Sequence, residues 1–132
     1  MCVSLCVIGE RVIEREKMSD DTNGKLIAAS KRGALVEVLQ LLSRAVTDIN
    51  YKNLSLSNWS SLHYASMKGH TAVVQELLHH QADANISNSC RLTPLHYAAG
   101  NGMTQTLAVL LAHPQVNINA TDTNNETPLY FA

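Results

Sequence analysis

Apolar residues in this chain recur at helical spacing, twice within each of several similar stretches. Val74, Leu77 and Leu78 stand at i, i+3 and i+4, and the same spacing returns at Val38, Leu41 and Leu42 and at Leu107, Leu110 and Leu111. Such a stripe marks one face of an amphipathic helix. Ahead of each stripe lies a pair of small residues, Ala28-Ala29, Ala65-Ser66 and Ala98-Ala99, whose size lets a second helix approach closely. Gly33, Gly69 and Gly102 fall between the two predicted helices, where the chain must reverse and positive φ is cheapest for glycine. Each stretch therefore predicts helix, tight turn, helix, loop.

These stretches are copies of one another. "SSLHYASMKGHTAVVQELLHHQADAN" (60–85) lies over "TPLHYAAGNGMTQTLAVLLAHPQVNIN" (93–119), and Leu62 matches Leu95 at a period of 33 residues. A weaker copy, "GKLIAASKRGALVEVLQLL" (24–42), comes before them, and a fourth opens at "ETPLYFA". A period of this size signals thin units stacked along an axis, each burying its apolar face on its neighbour. The predicted units are about 21–55, 56–88, 89–122 and a truncated 123–132, with 1–20 as an N-terminal extension.

The histidine of "TPLHYAA" invites a catalytic reading, but its position predicts a helix start. Thr93 suits the N-cap, Pro94 has the fixed φ of the first helical position, and His96 stands three residues after the cap, where its side chain can reach back. Ser60 and His63 occupy the same two positions one copy earlier. A role repeated in every unit is architectural, so Ser60, His63, Thr93 and His96 are assigned to capping.

"TPLHYAA", "GH", "VVQELL" and "ADAN" at this period resemble the ankyrin-repeat family over about residues 21–132. The resemblance implies an all-α solenoid of antiparallel helix pairs, joined by β-hairpin-like fingers, with a concave surface that binds other proteins. It also implies that the Thr and His of the tetrapeptide bond to each other. Carried over position by position, its variable finger and concave-face sites fall on Asp20, Asp21, Asn23, Lys31 and Arg32 in the first copy. They continue at Leu56, Ser57, Trp59, Met67 and Lys68, then at Ser89, Cys90, Leu92, Gly100 and Asn101, and end at Thr123, Asn124 and Glu126. Trp59, the single tryptophan, is the strongest expectation of a partner-facing anchor, since it lies outside the helical apolar pattern and tryptophan often dominates interfaces.

The sequence departs from that pattern in places. The first copy lacks the tetrapeptide and offers Lys25, Ser30, Lys31 and Arg32 instead, as a polar end cap would. Gln81 and Arg91 stand where the family usually has glycine, so Gln81 is expected to be strained. The last fragment is too short to cover the apolar face of the third copy, which predicts either continuation into further repeats or self-association through this open C-terminal end.

Composition narrows the function. The 132 residues are 45% hydrophobic with a formal net charge of −1, which supports a folded unit but gives no field for nucleic acid or an anionic membrane. The apolar run from Cys2 to Ile8 has no basic segment before it and is too short to span a bilayer. Three cysteines, Cys2, Cys6 and Cys90, without Cys-x-x-Cys spacing suit free thiols and a cytoplasmic or nuclear setting. The Asn-x-Ser/Thr triplets at Asn53, Asn58, Asn85, Asn119 and Asn125 read as turn residues rather than glycan acceptors.

Two constellations could carry chemistry, and neither is complete. His79, His80 and His113 sit near helix C-termini, where the dipole favours a protonated imidazole, and no acid or thiol completes a metal set. Cys90 and His96 lack an orienting third group. The reading is therefore non-enzymatic, with no cofactor or metal: a module that binds a protein partner, or alternatively the regulatory ankyrin segment of a longer enzyme or channel.

Overall fold

The computed structural model describes residues 22–44 and 47–131, so the extension 1–20, Asp21, Cys2 and Cys6 lie outside it, as does the side chain of Leu56. Among the described residues there are seven α-helices: α1 (Thr22–Arg32), α2 (Leu35–Leu42), α3 (Ser61–Lys68), α4 (Thr71–His79), α5 (Pro94–Gly100), α6 (Thr104–Ala112) and α7 (Pro128–Phe131). The first helices α1, α3, α5 and α7 pack on one another in order, and the second helices α2, α4 and α6 form a parallel layer beside them. This is the all-α stack of helix pairs that the period requires. The fingers contain no named strand among the described residues; Asn53 and Trp59 form one antiparallel bridge.

The small-residue pairs and the apolar stripes meet between the two layers. Ala29, Ala65 and Ala98 are fully buried there with Val38, Val74, Leu77 and Leu110. The stripe is incomplete in the third copy, where Leu107 is only half-buried and Leu111 is 49% exposed, and among the described residues no further second helix lies against it. Leu129 and Tyr130 of the short α7 are exposed as well.

Each helix pair turns on a left-handed residue. Gly69 has φ +77°, its N–H donates to the Ser66 carbonyl at 3.3 Å, and the next amide, His70, donates to Ala65 at 2.9 Å, the paired bonds of a Schellman motif. Gly33 repeats this at φ +76°. Both sites also exclude a side chain: a methyl group would come within 2.7 Å of the His70 ring at Gly33 and 2.6 Å of Met103 Sδ at Gly69. In each case the residue that opens the next copy's second helix lies directly on the glycine.

Gln81 ends α4 with the same paired bonds, Gln81 N–H to Leu78 and Ala82 N–H to Leu77, both at 3.0 Å, but it holds φ +72° as a non-glycine. Its side chain is exposed, so nothing offsets the cost of left-handed geometry, roughly 1–2 kcal/mol for a residue with a Cβ. Gln81→Gly is expected to raise the thermal midpoint by removing that strain, less about 0.5–1 kcal/mol for glycine's greater freedom when unfolded. A lower midpoint by calorimetry would contradict the assignment.

Candidate functional site: an inter-repeat histidine staple and the face it carries

Ser60 and Thr93 are the N-caps of α3 and α5. The Ser60 backbone N–H donates to His63 Nδ1 at 3.0 Å, and Ser60 Oγ lies 2.9 Å from the same nitrogen and accepts the His63 N–H at 3.4 Å. Because Nδ1 accepts from an amide, the proton of the neutral ring is on Nε2. That Nε2–H donates to the Leu92 carbonyl, 2.9 Å away in the next copy. The arrangement recurs one period on: Thr93 N–H to His96 Nδ1 at 3.1 Å, Thr93 Oγ1 at 2.9 Å from it, and His96 Nε2–H to the Glu126 carbonyl at 3.0 Å. Each imidazole thus caps its own helix with one nitrogen and ties down the next copy with the other.

Burial enforces the neutral form. It lowers the pKa of His63 from 6.5 to about 4, against the opposing pull of the Leu92 carbonyl. His96 is lowered by the same cause, opposed by the Glu126 carbonyl and by the Asp122 and Glu126 carboxylates. A third histidine, His70, crosses in the other direction: its Nε2 lies 3.1 Å from the Lys31 carbonyl.

The structure corrects several expected partner positions. Trp59 is 1% exposed, with its ring 4.7 Å from Tyr64 and 4.6 Å from Tyr97. Leu92 is also 1% exposed, and Cys90 is buried beside it. The physical reason is a hydrophobic staple: the residue before an N-cap packs on the fourth residue of the helix, which pairs Trp59 with Tyr64 and Leu92 with Tyr97. These side chains therefore form a second core beneath the fingers and do not face a partner.

The remaining positions stay accessible. Arg32, Lys68, Ser89, Gly100 and Asn101 are exposed, while Lys31, Met67 and Glu126 are half-buried. Arg32 pairs with Glu37, and Lys31 Nζ sits over the Tyr64 ring at 5.3 Å. Lys31, Met67 and Gly100 share one register position, and Arg32, Lys68 and Asn101 share the next, so they form two adjacent rows at the ends of α1, α3 and α5. A cavity of about 160 Å³ opens beside the rows, lined by Met67, Leu92, His96, Tyr97, Gly100, Asn101 and Phe131. The histidines at helix C-termini are engaged locally: His80 Nδ1 lies 2.9 Å from the Glu76 carbonyl, and His113 Nδ1 accepts from the Gln115 N–H at 3.3 Å.

A polar ladder escaped sequence reasoning. Asp48, Asp83 and Asn117 each accept, through Oδ1, the N–H two residues on, at 3.0 Å in every case. The receiving residues then bond across copies: Asn50 Oδ1 accepts Asp83 N–H at 2.8 Å, and Asn85 Oδ1 accepts Asn117 N–H at 2.6 Å. The triplets Asp-Ile-Asn, Asp-Ala-Asn and Asn-Ile-Asn at residues 48–50, 83–85 and 117–119 were the available signal.

A profile described as ankyrin repeats, in three copies, matches residues 62–132. The chain belongs to the ankyrin-repeat family. Ankyrin repeats bind protein partners. Relatives include an E3 ubiquitin-protein ligase of Oryza sativa subsp. japonica, 33% identical over 82% of this chain and 21% of its own length. An ankyrin repeat protein of Fowlpox virus (strain NVSL) is 34% identical over 85% of the chain and 33% of its own length. The palmitoyltransferase AKR1 of Lachancea kluyveri is 29% identical over 76% and 14%. The chain thus spans a third or less of these relatives, and the ankyrin repeats are what they share. No helix among the described residues is long and apolar enough to cross a membrane.

The depressed His63 pKa sets a pH dependence. Between about pH 4 and 6.5 the unfolded chain binds a proton at this ring that the folded chain excludes, so stability rises with pH there. The contribution is complete above 6.5, is lost as pH falls toward the folded value near 4, and integrates to on the order of 3 kcal/mol. In His63→Gln, the amide preserves an N3 capping partner but has no proton to gain. Thermal melts are expected to show a variant less stable at neutral pH with a flatter profile from 6.5 to 4; parallel profiles would refute the buried neutral ring.

Proposed function

We propose that this chain is a non-enzymatic protein-recognition module that holds a partner on the exposed rows and the adjoining fingers. One observation carries the reading: Met67, Gly100 and Asn101 line an open apolar cavity at the C-terminal ends of helices whose first turns are tied to the next copy through His63 and His96. Rigid presentation keeps the entropic cost of binding low, and an apolar pocket with a polar rim is the usual anatomy of an interaction hot spot. Leu56, Lys31, Arg32, Ser89 and Glu126 complete the proposed contact surface.

A second reading is that the module serves as the regulatory segment of a longer protein. The greater length of the relatives supports it, as does the exposed apolar surface at Leu111, Leu129 and Tyr130, a surface that further repeats or a second copy would cover.

Paired affinity purification and mass spectrometry tests the main reading. Met67→Ala combined with Asn101→Ala is expected to lose most of the retained partner with helical circular dichroism unchanged. Gln75→Ala, on the exposed side of α4, should retain it. Equal retention by both variants would move the interface off this face.

A further inference from the structure

The chemistry around the cavity narrows the class of partner. Its lining is Met67, Leu92, Tyr97 and Phe131 with His96 and Asn101, and at Gly100 any side chain would lie against the Phe131 ring, 3.4 Å from its nearest carbon. At about 160 Å³ it has room for one ring or branched chain, as apolar cavities near 150 Å³ take up benzene. A free molecule of that size offers few atoms to bind by, whereas a chain that seats one side chain there also runs along the rows.

Those rows are basic. Lys68, next in sequence to the lining residue Met67, is exposed; one copy back Lys31 shares Met67's register and Arg32, paired with Glu37, shares that of Lys68. Of the carboxylates near this face, Glu37 pairs with Arg32 and Asp122 is buried, accepting the Asn124 and Glu126 amides at 2.9 and 2.8 Å, while the half-buried Glu126 adds one negative charge near His96. Asp48 and Asp83 are held in the polar ladder on the loops that follow the second helices, and Glu76 lies on α4 beside His80.

We infer that the site takes an extended acidic peptide segment of a partner protein, with one large apolar side chain in the Met67–Tyr97–Phe131 cavity and a neighbouring carboxylate at Lys68. The inference rests on the protein-recognition reading above and deepens it. Charge complementarity of this kind favours encounter and register, and the buried apolar residue supplies the anchor.

The test is selection of a random short-peptide library on the full 132-residue chain, followed by fluorescence polarisation with the peptides recovered. Expected sequences pair Asp or Glu with Leu, Ile, Met or Phe. Their affinity should fall roughly tenfold, about 1.4 kcal/mol, in Lys68→Glu, which reverses the charge without touching the core, and again in Gly100→Leu, which fills the mouth. Recovered peptides that are basic or lack an apolar residue, or that bind the Lys68→Glu chain equally well, overturn the inference and leave the protein-recognition reading standing. So does a failure to recover any peptide while Met67 and Asn101 still govern retention of a folded partner. Sedimentation that shows a dimer dissociated by Gly100→Leu puts a second copy in the cavity and overturns it too.

Discussion

The whole stack depends on a neutral imidazole using both of its nitrogens. His63 accepts an amide at its own helix start and donates to Leu92 of the following copy, and His96 does the same toward Glu126. One rigid ring therefore fixes the height at which consecutive first helices sit. Protonation would place a second N–H against the donor from Ser60, so the bond and the neutral state enforce each other. In a buried setting an unmet donor or acceptor costs about 1–3 kcal/mol, which makes the pairing obligatory rather than ornamental.

Where the histidine is missing, other contacts do its work. The first copy has Ile27 at the equivalent position, and Ile27 packs in the same aromatic cluster as Trp59. His70 then reaches back to the Lys31 carbonyl and lies over Gly33, so the junction between the first two copies is held from the opposite side. Along the loops, the Asp and Asn side chains continue the connection from copy to copy. The cavity beside Met67 is built by three consecutive copies, from Met67 through Tyr97 to Phe131.

Most of this architecture is legible in the sequence because it is periodic. The i, i+3, i+4 stripes, the turn glycines and the Ser60/His63 and Thr93/His96 pairs all depend on residues close in the chain. The left-handed Gln81 is legible for the same reason, since it stands where its neighbours' pattern demands that geometry. Trp59, Leu92 and Cys90 are different. Analogy makes all three positions variable, yet Trp59 and Leu92 each precede an N-cap and pack onto the helix they introduce, and Cys90 is buried in the same cluster. The destinations of the histidine Nε2 protons lie about thirty residues away, and the cavity gathers side chains from Met67 to Phe131; neither has a short-range signature.

The most direct measurement is nitrogen-resolved NMR of the His63 ring in the intact chain. The bond to Leu92 predicts a single tautomer with the proton on Nε2, a slowly exchanging Nε2–H, and no titration until the pH approaches about 4. A ring that titrates near its ordinary value, or carries its proton on Nδ1, would mean that the bond to the next copy is not there.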